Sequence, residues 1–153
     1  MARKSVSLIL AGILAASMAF ALFSCEWTYD YAATVRSYKP FQGEEFGFTK
    51  SGDCGTVTDK YVDSPEWKSR SDGGIQYADL KGKLKGSGEE FLMTFRLTPV
   101  EGEKDQFLVE PHSLEFDGDP GGAEEATFLL YYMYGAYNGG FDSVQDFLDS
   151  AVG

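Results

Sequence analysis

His112 is the only histidine of this 153-residue chain and the first candidate for acid-base chemistry. A histidine acts as a general base when a carboxylate orients its ring. Glu110 precedes it by two positions, and residues two apart in a strand share a face. A solvated or half-buried strand residue is the simpler interpretation of His112, so we predict no catalytic residue. One histidine and two cysteines also supply too few ligands for a zinc site.

Acidic residues gather around Asp117-Gly118-Asp119, followed by Glu124 and Glu125. Their oxygens suit calcium, but the spacing lacks the longer loop and the terminal glutamate of an EF-hand. Asp and Gly are ordinary turn residues, and acids in the first turn of a helix complement its dipole. We therefore predict no metal site and no cofactor.

Four tyrosines, Tyr131, Tyr132, Tyr134 and Tyr137, fall within two turns of a predicted helix. They cannot all face one core, so we expect some of them to be exposed or to line a concavity between helix and sheet. A tyrosine ring combines flat apolar area with a hydroxyl at its edge, which suits a protein, peptide or glycan ligand. These four residues are the candidate binding site. The alternative is that their rings simply fill the space between helix and sheet.

The first residues of the chain have the composition of an export signal. Arg3 and Lys4 form a basic start, and no ionisable side chain occurs from Val6 to Phe23. A retained membrane helix, which needs about 20 apolar residues, is one interpretation. A basic start, an apolar centre and a small residue at its end are more typical of a secretory signal peptide.

The sequence Leu22-Phe23-Ser24-Cys25 resembles the lipobox of bacterial lipoproteins, although Phe23 stands where that pattern usually has a smaller residue. In that family the cysteine thiol is joined to diacylglycerol by a thioether, and the signal peptide is cut off just before it. The resemblance implies that residues 1–24 are removed and that Cys25 is lipidated. It also implies a place in the bacterial cell envelope, anchored to the cell membrane or outer membrane and facing the periplasm or the exterior.

A disulfide is the competing fate of Cys25. A cut after Ala19-Phe20-Ala21 would leave it free to pair with Cys54, the only other cysteine. Lipidation requires a cysteine at the end of the apolar run, whereas a disulfide does not, so we favour the lipid. Cys54 would then be a lone thiol, and its neighbours Asp53 and Gly55 offer no cation to lower its pKa.

The charge of the chain argues against nucleic acid as a partner. The full sequence has a net charge of −11, and loss of residues 1–24, which hold two bases and no acid, changes it to −13. Such a surface repels phosphates and anionic headgroups. The lipid would therefore hold the protein to the membrane without electrostatic help, and stable anchoring needs more than one acyl chain.

Residues 25–55 are predicted to be a tether with a candidate edge strand over residues 32–38, and residues 56–153 to be a single domain. A hydroxyl followed three positions later by an acid, Thr56 and Asp59, predicts the start of a short helix that ends before Ser64-Pro65. Three strands are predicted next, over residues 75–85, 91–97 and 106–116, because apolar and polar residues alternate there. Pro111 cannot donate a ladder hydrogen bond, so we expect an edge or a bulge at that position.

The segment 118–122, rich in Gly and Pro, is predicted to end the sheet. A helix is then expected from Ala123 to Asn138-Gly139-Gly140, and a last helix from an Asp142 cap. The predicted fold is thus α+β: a short helix, a curved antiparallel sheet of three to four strands, and one or two C-terminal helices.

The order of a helix, Ser64-Pro65-Glu66-Trp67, a sheet and a helix resembles small bacterial secreted or membrane-anchored proteins of the cystatin-like and nuclear-transport-factor-like kinds. The resemblance implies a curved sheet wrapped on a helix and no particular chemistry. Cystatin inhibitors carry a Gln-x-Val-x-Gly loop that this chain lacks, so inhibition of proteases is not implied.

Two functions remain open from the sequence. The first is an envelope lipoprotein with a small non-enzymatic binding or accessory domain for a protein, peptide or glycan. The second is a small hydrolase or lyase that uses carboxylates in the cavity between helix and sheet, a possibility that the fold alone does not establish. Two carboxylates buried together and facing a deep pocket would favour the enzyme, whereas a filled apolar interior with exposed tyrosines would favour the binding domain.

Overall fold

A computed structural model describes residues 29–50 and 52–153, which form four α-helices, a 3-10 turn and one antiparallel sheet. The helices are α1 (Tyr31–Ser37), α2 (Cys54–Tyr61), α3 (Ala123–Gly139) and α4 (Val144–Val152), and the 3-10 turn is Glu44–Phe46. The strands are β1 (Val62–Asp72), β2 (Ile75–Leu84), β3 (Glu90–Pro99), β4 (Phe107–Phe116) and β5 (Asp119–Gly121).

The five strands pair in chain order as a meander, and every neighbouring pair is antiparallel. Helices α1 and α2 precede the sheet, and α3 and α4 follow it. The predicted α+β layout is therefore confirmed. The sheet has five strands rather than three to four, because β1 and the short β5 were not predicted.

Strand β1 follows α2 directly and contains the Ser64-Pro65 pair that was expected to end a helix. Its register with β2 shifts between Asp63 and Glu66, and Ser64 has a φ of 54°. This bulge takes Pro65, which has no N–H, out of the ladder. At the other end of the sheet, Asp119–Gly121 pairs with residues 114–116, so the segment expected to end the sheet adds its last strand.

The edge strand predicted over residues 32–38 is wrong, because this segment forms α1. Asp30 caps the helix, with its Oδ1 accepting a hydrogen bond from the N–H of Ala33 at 3.0 Å. Ala32 and Val35, three positions apart, are both buried. This part of the predicted tether therefore belongs to the core of the domain.

Helix α2 begins earlier than the sequence indicated, because Asp53 caps it rather than Thr56. The Oδ1 of Asp53 accepts a hydrogen bond from the N–H of Thr56 at 2.8 Å. Hydrogen bonding to the backbone and side chain of Thr56 lowers the pKa of the Asp53 carboxyl. In the same way α4 is capped by Ser143, whose hydroxyl accepts from the N–H of Asp146, and not by Asp142.

The central strands follow the predicted alternation. One face of β2 and β3 is buried, whereas Lys81 and Lys83 on the other face of β2 are exposed. The buried residues are Ala78, Leu80, Leu84, Phe91, Met93, Phe95 and Leu97. The bulge expected at Pro111 is also confirmed: Thr94 pairs with Ser113 and Phe95 with Pro111, so one residue of β4 is left without a partner in the ladder.

Helix α4 is held against α3 by a close approach at Gly135. A Cβ at that position would lie 2.5 Å from the Cζ of Phe147, so only a glycine admits the ring there. Phe147 also packs edge-on against Phe141 at 5.7 Å. The hydroxyl of Tyr61 donates to the carbonyl of Phe141 at 2.9 Å and fixes the loop between the two helices. These contacts set the position of α4 beside α3 and the end of the sheet.

Candidate functional site

Tyr134, one of the four predicted binding residues, lies inside the core and is 2% exposed. Its hydroxyl donates a hydrogen bond to the carbonyl of Gly52 at 2.8 Å. Its ring packs edge-on against Phe41 at 5.4 Å and stacks on Phe48 at 6.3 Å. Burial raises the pKa of Tyr134, because the phenolate would lose its hydration. The side chain connects α3 to the segment before α2 and is closed to a ligand.

Tyr131 and Tyr137 are half-buried on the same side of α3. The ring of Tyr131 lies 5.4 Å from that of Phe41 and 5.2 Å from that of Phe48. The ammonium of Lys60 lies 5.7 Å from the ring centre of Tyr137, within range of a cation–π contact. Both rings therefore pack against the segment before α2 or against α2 itself.

Tyr132 points to a different place, and of the four tyrosines it is the one that lines an open groove. This groove, which we call the α3–α4 groove, lies between α3, α4 and the sheet end that carries the β2–β3 turn. The structure thus separates the four predicted residues: three of them attach the amino-terminal segment and α2 to α3, and one lines a cavity.

The α3–α4 groove has a volume of about 390 Å³ and a mainly apolar lining. The sheet contributes Leu84, Leu114 and Phe116, and the two helices contribute Leu129, Val144 and Leu148. Polar side chains also line it: Lys85, Ser87, Glu89, Glu125 and Gln145. An apolar cavity of a few hundred Å³ with a small number of polar groups is the usual form of a ligand site.

Phe128 lines the groove and is the residue that sequence reasoning missed. It is 48% exposed, although a phenylalanine gains free energy when it leaves water. Its ring stacks on that of Tyr132, with centres 6.3 Å apart and planes inclined by 14°. The signal in the sequence is the spacing of four between them, which puts both rings on one helix face. Together they form an aromatic wall that is open to a partner.

Two carboxylates, Glu89 and Glu125, line the groove, and neither of them is buried. Glu125 is exposed, and its Oε2 accepts the N–H of Gly122 at 2.9 Å as part of the capping of α3. Glu89 is half-buried in the turn between β2 and β3. Among residues 29–50 and 52–153 no carboxylate is buried. His112 is exposed and lies outside the groove, where its ring packs on Tyr77 with centres 5.3 Å apart.

Cys54 is fully buried at the start of α2, and its N–H donates to the carbonyl of Tyr38 at 2.7 Å. Burial raises the pKa of its thiol to about 12, and the nearby Asp53 carboxylate acts in the same direction. A thiol in this state forms little thiolate and makes a poor nucleophile. Cys25, the predicted lipidation site, lies outside the described residues.

In the part of the chain that the structure describes, no three His, Cys, Asp or Glu side chains are grouped as metal ligands. Asp117 lies in the β4–β5 turn with a φ of 53°, and Asp119 pairs with Phe116. Within the same residues, no helix combines the length and the apolar character needed to cross a membrane.

Comparisons with models of protein families, with curated proteins and with solved structures found no match to this chain. The resemblances to lipoproteins and to cystatin-like proteins therefore stay predictions. Function is therefore inferred from the lipobox-like residues, the geometry of the groove and the distribution of charge.

Proposed function

We propose that the protein is a lipid-anchored lipoprotein of the bacterial cell envelope, whose α+β domain is a non-enzymatic binding module. The observation that carries the binding part is the α3–α4 groove, an apolar cavity of about 390 Å³ with the half-exposed Phe128 in its wall. A soluble domain gains stability by burying such a ring, so its exposure beside a cavity favours a partner that covers it.

The burial of Cys54 supports lipidation of Cys25 over a disulfide between them. A disulfide needs two Cβ atoms about 4 Å apart. The side chain of Cys54 is 0% exposed among core residues, so a second cysteine could reach it only by displacing part of the core. With the disulfide disfavoured, the lipobox-like residues favour diacylglycerol as the group joined to the Cys25 sulfur.

The groove lies at the opposite end of β4 from Tyr29, the first described residue. Tyr29 follows Cys25 by four residues, which span at most about 14 Å, and its ring packs on Phe107 at 5.2 Å. Phe107 and Phe116 are the two ends of β4, which has 10 residues and a length of roughly 30 Å. Since Phe116 lines the groove, a partner could reach the groove without meeting the bilayer.

A hydrolase or lyase, the alternative from the sequence, has no observation in its favour among the described residues. Such an enzyme would use two carboxylates in the cavity. The two that line the groove are Glu89, which is half-buried, and Glu125, whose oxygen is engaged by the Gly122 N–H. The groove is thus better suited to recognition than to hydrolysis.

We expect the native protein to stay with the membrane fraction through washes in 1 M salt and at alkaline pH, and to be extracted by detergent. Anionic headgroups repel the acidic domain, so no electrostatic attraction to the membrane exists for salt to weaken. Two or more acyl chains, by contrast, anchor a protein stably in the bilayer. Immunoblots of the fractions measure this. Release of most of the protein by salt alone would show that charge, not lipid, holds it.

A further inference from the structure

The charges of the domain are distributed unevenly along the chain. No Lys or Arg occurs after Lys104, whereas ten Asp and Glu residues do. That acidic part of the chain forms β4, β5, α3 and α4, which supply most of the walls of the α3–α4 groove. Among the described residues that line it, Lys85 is the only base. With Glu89 and Glu125 against Lys85, the charged side chains that line the groove carry a net negative charge.

This charge excludes several occupants of the groove. A second copy of the chain would bring another strongly acidic surface against the first, and phospholipid headgroups would be repelled in the same way. A glycan needs many hydrogen-bonding groups, whereas the lining of the groove is mainly apolar and includes Leu84, Leu114 and Leu129. An apolar side chain that is flanked by positive charge fits both the lining and the potential.

We propose that the α3–α4 groove binds a protein segment in which an aromatic or aliphatic side chain is flanked by lysine or arginine. This inference rests on the proposed binding function and names its class of partner. The apolar side chain enters the groove against the rings of Phe128 and Tyr132, where burial of aromatic area supplies affinity. The flanking bases meet Glu89, Glu125 and the acidic surface beyond them, which speeds association and selects the partner.

Photocrosslinking at two matched positions tests this proposal in the native host. A photoreactive phenylalanine analogue is placed at Phe128 in one strain and at Leu108 in the other. These side chains are 48% and 53% exposed, and Leu108 lies near the start of β4, away from the groove. We expect position 128 to capture a protein whose crosslinked peptide contains an apolar residue within three positions of Lys or Arg. Position 108 should not capture it.

The captured segment is then made as a synthetic peptide, and its affinity for the lipidated protein in detergent is measured. Phe128→Ala should weaken binding at least about tenfold, because aromatic anchors dominate interface energies, and Leu108→Ala should leave it unchanged. Glu89→Gln should weaken it roughly threefold and the matched Glu103→Gln, in the distant β3–β4 turn, should not. Affinity should also fall severalfold between 50 and 300 mM salt.

Several results would overturn the proposal. The first set concerns the crosslink: position 128 captures a lipid or glycan, captures a peptide that is acidic or wholly polar, or captures nothing. The second concerns the affinity of the peptide, which stays the same when Phe128 is replaced by Ala or when the salt concentration is raised. Capture of a protein through position 108 but not 128 would refute this groove as the site and leave a binding function standing. Failure of both positions to capture anything would count against the proposed function itself.

Discussion

Tyr134→Ala is expected to lower the free energy of unfolding by about 3–5 kcal/mol, the range found when a buried aromatic ring is truncated in a core. Tyr134 is 2% exposed and packs against Phe41 and Phe48. Its removal would leave a cavity and break the attachment of the amino-terminal segment to α3. Urea unfolding, followed by circular dichroism, measures the change. A loss this large approaches the whole stability of a small domain.

Two control variants separate the contributions of Tyr134. Tyr134→Phe removes only the hydroxyl and leaves the carbonyl of Gly52 without its 2.8 Å hydrogen bond, at a cost of about 1–2 kcal/mol. Tyr132→Ala removes a half-buried ring from the groove and should cost clearly less than Tyr134→Ala. If Tyr134→Ala and Tyr132→Ala were equally mild, Tyr134 would not be the core residue described above.

Cys25→Ala is expected to abolish incorporation of labelled palmitate and to leave residues 1–24 attached, because the lipobox resemblance implies that the cut before position 25 follows lipidation of the cysteine. Cys25 is the cysteine at the lipobox-like position, whereas the thiol of Cys54 is fully buried in the folded domain. Metabolic labelling of cells that express the variant measures the first effect, and the mass of the variant protein measures the second.

Cys54→Ala is the matched control for that experiment. It removes a fully buried thiol, so it should cost a modest amount of stability while the label and the membrane location persist. Label that survives Cys25→Ala would refute the anchor. Loss of label in Cys54→Ala, with the protein still folded, would indicate that the two cysteines act together.

The sequence predicted the regular parts of the fold because local pattern and tertiary position agree there. Apolar and polar residues alternate in β2 and β3 because one face of these strands, which includes Leu80 and Phe95, is buried. Gly140 ends α3 in the left-handed conformation, with a φ of 73°, as the Asn-Gly-Gly signal indicated.

The parts that were missed depend on contacts far along the chain. The segment of α1 is too short to show a helical period, and its residue Val35 becomes buried only when the rest of the core packs against it. Strand β1 begins with a Ser-Pro pair that normally ends an element, and its bulge exists because β2 holds the rest of the strand. Strand β5 has three residues and is defined by its partner β4 alone.

The sequence indicated only part of the lining of the α3–α4 groove for a similar reason. The density of tyrosines points to α3, which lines the groove, but side-chain type cannot show which ring a distant segment covers. Phe41 and Phe48 cover Tyr131 and Tyr134, whereas α4 leaves Tyr132 beside an open groove. Phe128 was overlooked because a single apolar residue beside the buried face of α3 is expected to be a core residue. Only the position of α4 shows that its ring lies at an open groove.

The most direct test of the lipoprotein claim is the mass of the amino-terminal peptide of the mature protein, purified from its native membrane. We predict that the chain begins at Cys25, with diacylglycerol on its sulfur and an acyl group on its amine. We also predict that Cys54 has a free thiol that reagents modify only after denaturation. A chain that begins at another residue, or a disulfide between Cys25 and Cys54, would contradict the account.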